Sequence, residues 1–597
     1  MNASWRTITR TVVRFALAAA LAMSFAQHAL ARPATAKLLP KSTQAFISIP
    51  DVAELKLRSK ESSLARMLRD KQVEPLARDL YGSAMESLAK VEEQLGMPLE
   101  ELLEIPKGEV SIAFVAVKET RPALVVLIDV GNDNQPFDKL LEAGLAKAAE
   151  AGIEPREEKF GETPVSILDL SGEDGNQVLY CRREETFVVT TDAAIMAEML
   201  DAWDGKQHES LSMDEAFAEI RERARGVADE APQVMYFVDP IGIVEAIGED
   251  NTAVKLAESF LAPLGLDGLR GFGGAITMQT GQFESIHRAT ILIDAPRRGV
   301  MELIAVKPGD TVPENWAPAD CASYMTFNWD FPEMYDDLRH LIDSFRGEGS
   351  FAARVNTPFE EETGVDLEQD VLPYLEGRVS IVSSMTRPVT LTSQTAVYGF
   401  KLTEPDKIRT VMDKLADKFS ERLTQRSYGA MSYYVFSPPG MEDNPEAANM
   451  PKPCFGILGD YLLIGNQPAA LEQAVLASED TSRSLAGTED FQAITDVIKQ
   501  LPGGEQPIGI TFARPEESLR FIYELANSEE TRKRLAEQGV ENAFFGKVGE
   551  ALDRNPLPPF EVIAKYFAPS GAMLVEEETG WQYIDFSLRR EEAKEGE

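Results

Sequence analysis

Runs of apolar residues broken at regular intervals set the elements of this chain. VSIAFVAV (110–117) and ALVVLIDV (123–130) read as two strands joined by a turn that contains T-R-P. AFISI (45–49) and YMTFNW (324–329) are shorter strands, each followed by helical periodicity. Ile408, Val411, Met412, Leu415 and Phe419 repeat at i, i+3, i+4 and i+7 with charges between them, which predicts an amphipathic helix. Phe137, Leu141 and Leu145 place another in the same way. A cap residue and an early proline mark three helix starts: Asn134 with Pro136, Thr403 with Pro405, and Asn466 with Pro468. Gly96 and Gly364 stand just past helical patterns, where positive φ commonly closes a helix. Strands follow at 165–170, 177–182 and 186–191, then helices at 193–203 and 213–225, a strand at 233–238, and a hairpin over 273–279 and 284–293. WQYIDFSLR (581–589) alternates, so one face of that strand is buried and the other wet.

These elements are written twice. GEVSIAFVAVKETRP (108–122) faces GRVSIVSSMTRP (377–388), and EEQLGMPLE (92–100) faces EEETGVDLE (360–368). LPKSTQAFISI (39–49), TFVVTTDAAIMAEML (186–200), QVMYFVDP (233–240) and the final hairpin find partners in the same order, about 270 residues on. Solenoids repeat every 20–50 residues, whereas a unit of this size buries its own core. The reading is α+β: two tandem copies of one unit, residues 37–295 and 316–590, each a largely antiparallel sheet with helices packed on one side. A proline-rich connector (296–315) joins them, and a charged tail (591–597) follows.

The first 31 residues read as a signal peptide. Arg6, Arg10 and Arg14 precede the apolar run FALAAALAMSFA (15–26), and Ala29-Leu30-Ala31 offers a cleavage site, with Ala34-Thr35-Ala36 as the alternative. That run is too short to span a bilayer, and no later one is longer. The expected location is periplasmic or extracellular. The charge is strongly acidic: 59 Lys and Arg against 98 Asp and Glu leave a net −39, read first as solubility, with divalent cations or a basic partner as sharper readings; it repels phosphate backbones and argues against nucleic acid. Three cysteines (Cys181, Cys321, Cys454) allow at most one internal disulfide.

A search for chemistry finds no constellation. His208, His287 and His340 stand apart, with no H-E-x-x-H and no C-x-x-C. Ser87-Leu-Ala-Lys90 lacks the companion motifs of the penicillin-binding class. GLRGFGG (268–274) lacks dinucleotide-binding spacing and reads as a turn. GNDNQPFD (131–138), Glu360–Glu362 and Glu576–Glu578 are oxygen-rich but do not match a calcium loop. No catalytic, cofactor-binding or metal-binding residue is assigned, and no cofactor is expected.

LLPKSTQAFISI (38–49), the V-S-I strands and the F-V-V-T-T-D step (187–192) resemble a family of uncharacterised exported bacterial proteins, a domain of unknown function. The resemblance implies export and the duplicated build and carries over no activity. Three functions remain open. The first is a non-enzymatic envelope protein that binds or scaffolds an unknown protein or envelope component. The second is a carboxylate-based hydrolase, for which buried acids in a cleft between the copies would speak. The third is an inhibitor or chaperone-like partner of secreted enzymes, for which an exposed apolar groove would speak.

Overall fold

The computed structural model describes residues 32–590, apart from 118–120, 171–175, 227–230, 249–251, 388, 390–392, 438–450 and 529–542. Side chains are not described at 83–84, 86–91, 93–95, 248, 252–253 and 543–546. The leader, the charged tail and part of each T-R-P turn lie outside the described residues.

The protein is α+β, with one large antiparallel sheet. Its strands in chain order are β1 (Thr43–Ile49), β2 (Val110–Val115), β3 (Ala123–Asp129), β4 (Arg156–Phe160), β5 (Thr163–Asp169), β6 (Gln177–Arg183), β7 (Thr186–Thr190), β8 (Val234–Val238), β9 (Leu269–Thr280) and β10 (Phe283–Ile293). They continue as β11 (Val306–Lys307), β12 (Ser323–Trp329), β13 (Leu375–Met385), β14 (Gln394–Leu402), β15 (Leu423–Tyr428), β16 (Met431–Phe436), β17 (Cys454–Leu458), β18 (Tyr461–Gly465), β19 (Gly509–Ala513), β20 (Ser570–Glu577) and β21 (Gly580–Leu588). The first half pairs in the order β4-β5-β6-β7-β3-β2-β1-β8-β9-β10. The second pairs in the order β15-β16-β17-β18-β14-β13-β12-β19-β20-β21, with short β11 against the end of β12. β10 and β21 then pair along their length, Phe283 opposite Leu588 through Leu292 opposite Gly580, so the two halves share one sheet.

Two main cores lie on one face of the sheet. In the first, helices Ala193–Trp203 and Glu215–Arg225 bring Met196, Met199, Phe217 and Ile220 onto Phe46, Leu127, Leu179 and Phe237. In the second, Pro468–Glu479 and Glu489–Gln500 bring Leu471, Val475, Phe491 and Ile494 onto Tyr324, Leu463, Phe512 and Phe586. Helices also cover the other face, which corrects the one-sided reading. Phe137, Leu140 and Leu141 of helix Gln135–Glu150 pack on Ile128, Val130 and Phe187, and Ile408 and Met412 of helix Pro405–Lys418 pack on Tyr434, Ile457 and Leu462. The physical cause is visible in ALVVLIDV: a near-continuous apolar strand needs cover on both sides, where an alternating one needs it on one.

Local expectations fare unevenly. Asn134 caps its helix, its Oδ1 accepting from the Phe137 amide at 3.1 Å. Thr403 and Asn466 do not cap. Glu404 occupies the cap position of the helix after Thr403, and Asn466 instead bridges strands, accepting from Ala396 N and donating to Gln394 O. Within 296–315 only Pro313 and Glu314 are buried, just before the buried Trp316.

Candidate functional site

The face opposite the main cores carries an unbroken apolar row. Residues directly opposed across a ladder point to the same side. Val189, Val126, Ile112, Ile47 and Tyr236 are opposed in turn, and the row continues through Gly274, Ala289 and Tyr583 to Leu574, Gly509, Phe327 and Val379. The helices Gln135–Glu150 and Pro405–Lys418 cover its ends. Between them Ile47, Ile112, Phe114, Leu124, Phe272, Met325 and Tyr583 remain exposed.

Beside the seam of the two halves this face sinks into a half-open pocket of about 330 Å³. Met325, Phe327, Gly509, Thr511, Ala572, Leu574 and Tyr583 come from the strands; Ile304, Val306 and Trp329 form a wall. The Trp329 indole N–H donates to Leu303 O at 3.1 Å, which fixes the ring. Gly509 deepens the floor, because a Cβ there would stand 3.0 Å from Phe327 Cβ. No Asp, Glu, His or Lys lines the pocket, so its walls offer dispersion and desolvation rather than acid–base chemistry.

A polar network borders it. His287 on β10 accepts or donates at both ring nitrogens: Nε2 lies 2.8 Å from Tyr236 Oη, and Nδ1 lies 2.7 Å from Asp585 Oδ2. Sequence reading left His287 isolated; 298 residues separate it from Asp585, and only the β10/β21 pairing brings them opposite. Tyr236 reaches His287 by crossing β9 at Gly274, where a Cβ would stand 3.0 Å from the phenol oxygen. That close approach is what GLRGFGG serves. The stretch is strand from Leu269 onward rather than a turn, and Gly273 likewise admits Ile220 on the core side. Burial, with the Asp585 charge behind it, raises the Tyr236 phenol above its ordinary pKa, which opposes a role as phenolate nucleophile.

The other sequence candidates stay apart. His340 lies on helix Phe331–Arg346, and the buried His208 Nε2 has no partner among the described residues. Cys181, Cys321 and Cys454 are free and buried; burial pushes their thiols up to about 11, 12 and 12. Ser87 and Lys90 fall on helix Glu74–Leu95, where their side chains are not described. Glu360–Glu362 sit on the helix Thr357–Thr363, and Glu576 pairs with Arg297 at 2.8 Å. Among the described residues no group of three or more His, Cys, Asp or Glu side chains is placed to hold a metal ion.

No curated protein and no solved structure matches this chain. A family model described as "Protein of unknown function (DUF3352)" matches residues 352–541, the middle of the second half, and it attaches no activity to the strands and helices there.

Proposed function

We propose that this chain is an exported, acidic, non-enzymatic envelope protein that binds a small apolar molecule in the pocket beside the β10/β21 seam. The pocket carries the reading: about 330 Å³ walled by Met325, Phe327, Trp329, Leu574 and Tyr583, with no acid or base in its lining. Its volume suits one aliphatic chain rather than a protein segment. Hydrolysis by paired carboxylates would need two acids facing a substrate, and this lining has none. Export rests on the leader motif of residues 1–31 and on a described region in which no helix is long and apolar enough to cross a membrane.

The build is read as a tandem duplication of 37–295 and 316–590, joined through 296–315. Corresponding strand orders in the two halves support it. So do two matched bridges, Pro40 to Ser210 and Pro318 to Ser484, and Cys181 and Cys454 on corresponding strands. Duplication accounts for the pocket's position, because the last strands of the two units close the sheet beside it.

Trp329 supplies the assay. Titration with 1-decanol below its solubility limit should shift tryptophan emission saturably. The shift should vanish in Trp329→Phe, and Thr511→Trp, which fills the floor, should abolish binding while keeping the wild-type melting temperature within a few degrees. Unchanged emission and unchanged melting across the titration would overturn the reading.

A further inference from the structure

The pocket's apolar floor does not end at apolar residues. Ala572, which lines it, is opposed to Asp585, and Asp585 is opposed to His287. Opposed side chains lie roughly 5 Å apart at Cβ. Tyr583, which also lines the pocket, precedes Asp585 by two residues and so shares its face. An aliphatic chain lying over Leu574, Ala572 and Met325 therefore brings its end to Asp585.

The chemistry of that end follows from the hydrogen bonds. A carboxylate only accepts, so His287 carries a proton on Nδ1, facing Asp585 Oδ2. In the singly protonated ring Nε2 is the acceptor, and the Tyr236 O–H donates to it. Both donors of the network are used internally. What faces outward is acceptor only: the Tyr236 oxygen lone pairs and Asp585 Oδ1, which has no partner among the described residues. Asp585 is 43% exposed, so a ligand reaches it without unfolding anything. Asp585 supplies a carboxylate at this edge, and the chain as a whole is strongly acidic.

Resting on the apolar-pocket reading, we infer that the site takes a single-chain amphiphile with a cationic, hydrogen-bond-donating head, a primary alkylammonium, whose head meets Asp585 and Tyr236 and whose chain fills the pocket. Tyr236 and His287 come from the first half and Asp585 from the second, so the head site exists only where β10 and β21 are paired. His287 is a positioning residue: it holds the Tyr236 oxygen and the Asp585 carboxylate in register and does not itself contact the chain.

The experiment compares decylammonium, 1-decanol and decanoate, each below its micelle concentration, by Trp329 emission in the wild type, Asp585→Asn and the remote surface variant Asp496→Asn. Decylammonium should bind at least tenfold more tightly than decanoate. Asp585→Asn should bring the two within about twofold and leave 1-decanol unchanged, while Asp496→Asn should change nothing. A preference for decylammonium that survives Asp585→Asn would mark diffuse attraction to an acidic surface and overturn the head site. Equal binding of the three ligands would overturn it too, with the pocket reading intact. Binding of none of them would sink the pocket reading itself.

Discussion

Arg378 Nε lies 3.0 Å from Glu314 Oε1 with both side chains almost wholly out of solvent. Glu314 also accepts from Ser380 at 2.6 Å and from Tyr324 at 3.1 Å. The first half holds a pair of opposite polarity: Arg32 meets Glu109 at 2.7 Å, and Glu109 accepts from Ser48 and Ser111. In one half the strand side supplies the acid and in the other the arginine. Each pair ties the segment preceding its half to the middle of the sheet.

A buried pair broken from one side leaves an uncompensated charge. Glu314→Leu leaves Arg378 only the exposed Asp310 carboxylate, 2.9 Å away, and should cost about 3 kcal/mol in urea unfolding. Replacing both partners, Glu314→Leu with Arg378→Met, should be milder than Glu314→Leu alone. Additive losses in the double variant would show that the two residues are not coupled.

On the proposed export, Arg32 marks where a leader would be removed. Its guanidinium is held by Glu109, Asp129 and the Thr35 hydroxyl and lies 5.8 Å from the Trp203 ring centre, while Thr35 and Leu38 are fully buried. Processing after Ala36 would delete this anchor. The expected mature N-terminus is Arg32, read by N-terminal sequencing of envelope protein; a start at Lys37 would refute it.

A Cβ at Gly274 would collide with Arg288 O on β10 and stand 3.0 Å from the Tyr236 phenol oxygen. Gly274→Val should destabilise by about 1–3 kcal/mol, the usual cost of overpacking. It should also separate Tyr236 from His287, visible as loss of the NOE between the Tyr236 and His287 rings. Wild-type stability with that contact intact would contradict the close approach at Gly274.

The three thiols should be silent in the native protein. Native chains are expected to give no reaction with a thiol reagent at pH 8, and three equivalents after denaturation. Their raised values set a pH window. Below about pH 7.5 folded and unfolded thiols are both essentially protonated, so their contribution to stability is constant. From about pH 8 to 12 the unfolded thiols ionise first, and stability falls. Tyr433 and Tyr434, held up at about 12 by burial, add to the same alkaline loss. A flat unfolding free energy from pH 8 to 11 would contradict this.

By itself the sequence determined the local elements and the antiparallel character. The periodicities around Ala193–Trp203 and the strands at 110–130 depend on neighbours a few residues away, and local backbone physics decides them. The Asn134 cap was legible for that reason, while Thr403 and Asn466 carried the same signal and were claimed by a neighbouring residue and by a strand. Only the tertiary structure decided the site. His287 and Asp585 meet because β10 and β21 pair at a register no local pattern encodes. The glycines of GLRGFGG look like a turn until Tyr236 and Ile220 are seen passing over them. The apolar pocket uses strand residues whose hydrophobicity is the same whether a face is covered or open. Which faces the helices cover is set by long-range packing, and that left Met325, Trp329 and Tyr583 around an open pocket rather than inside a core.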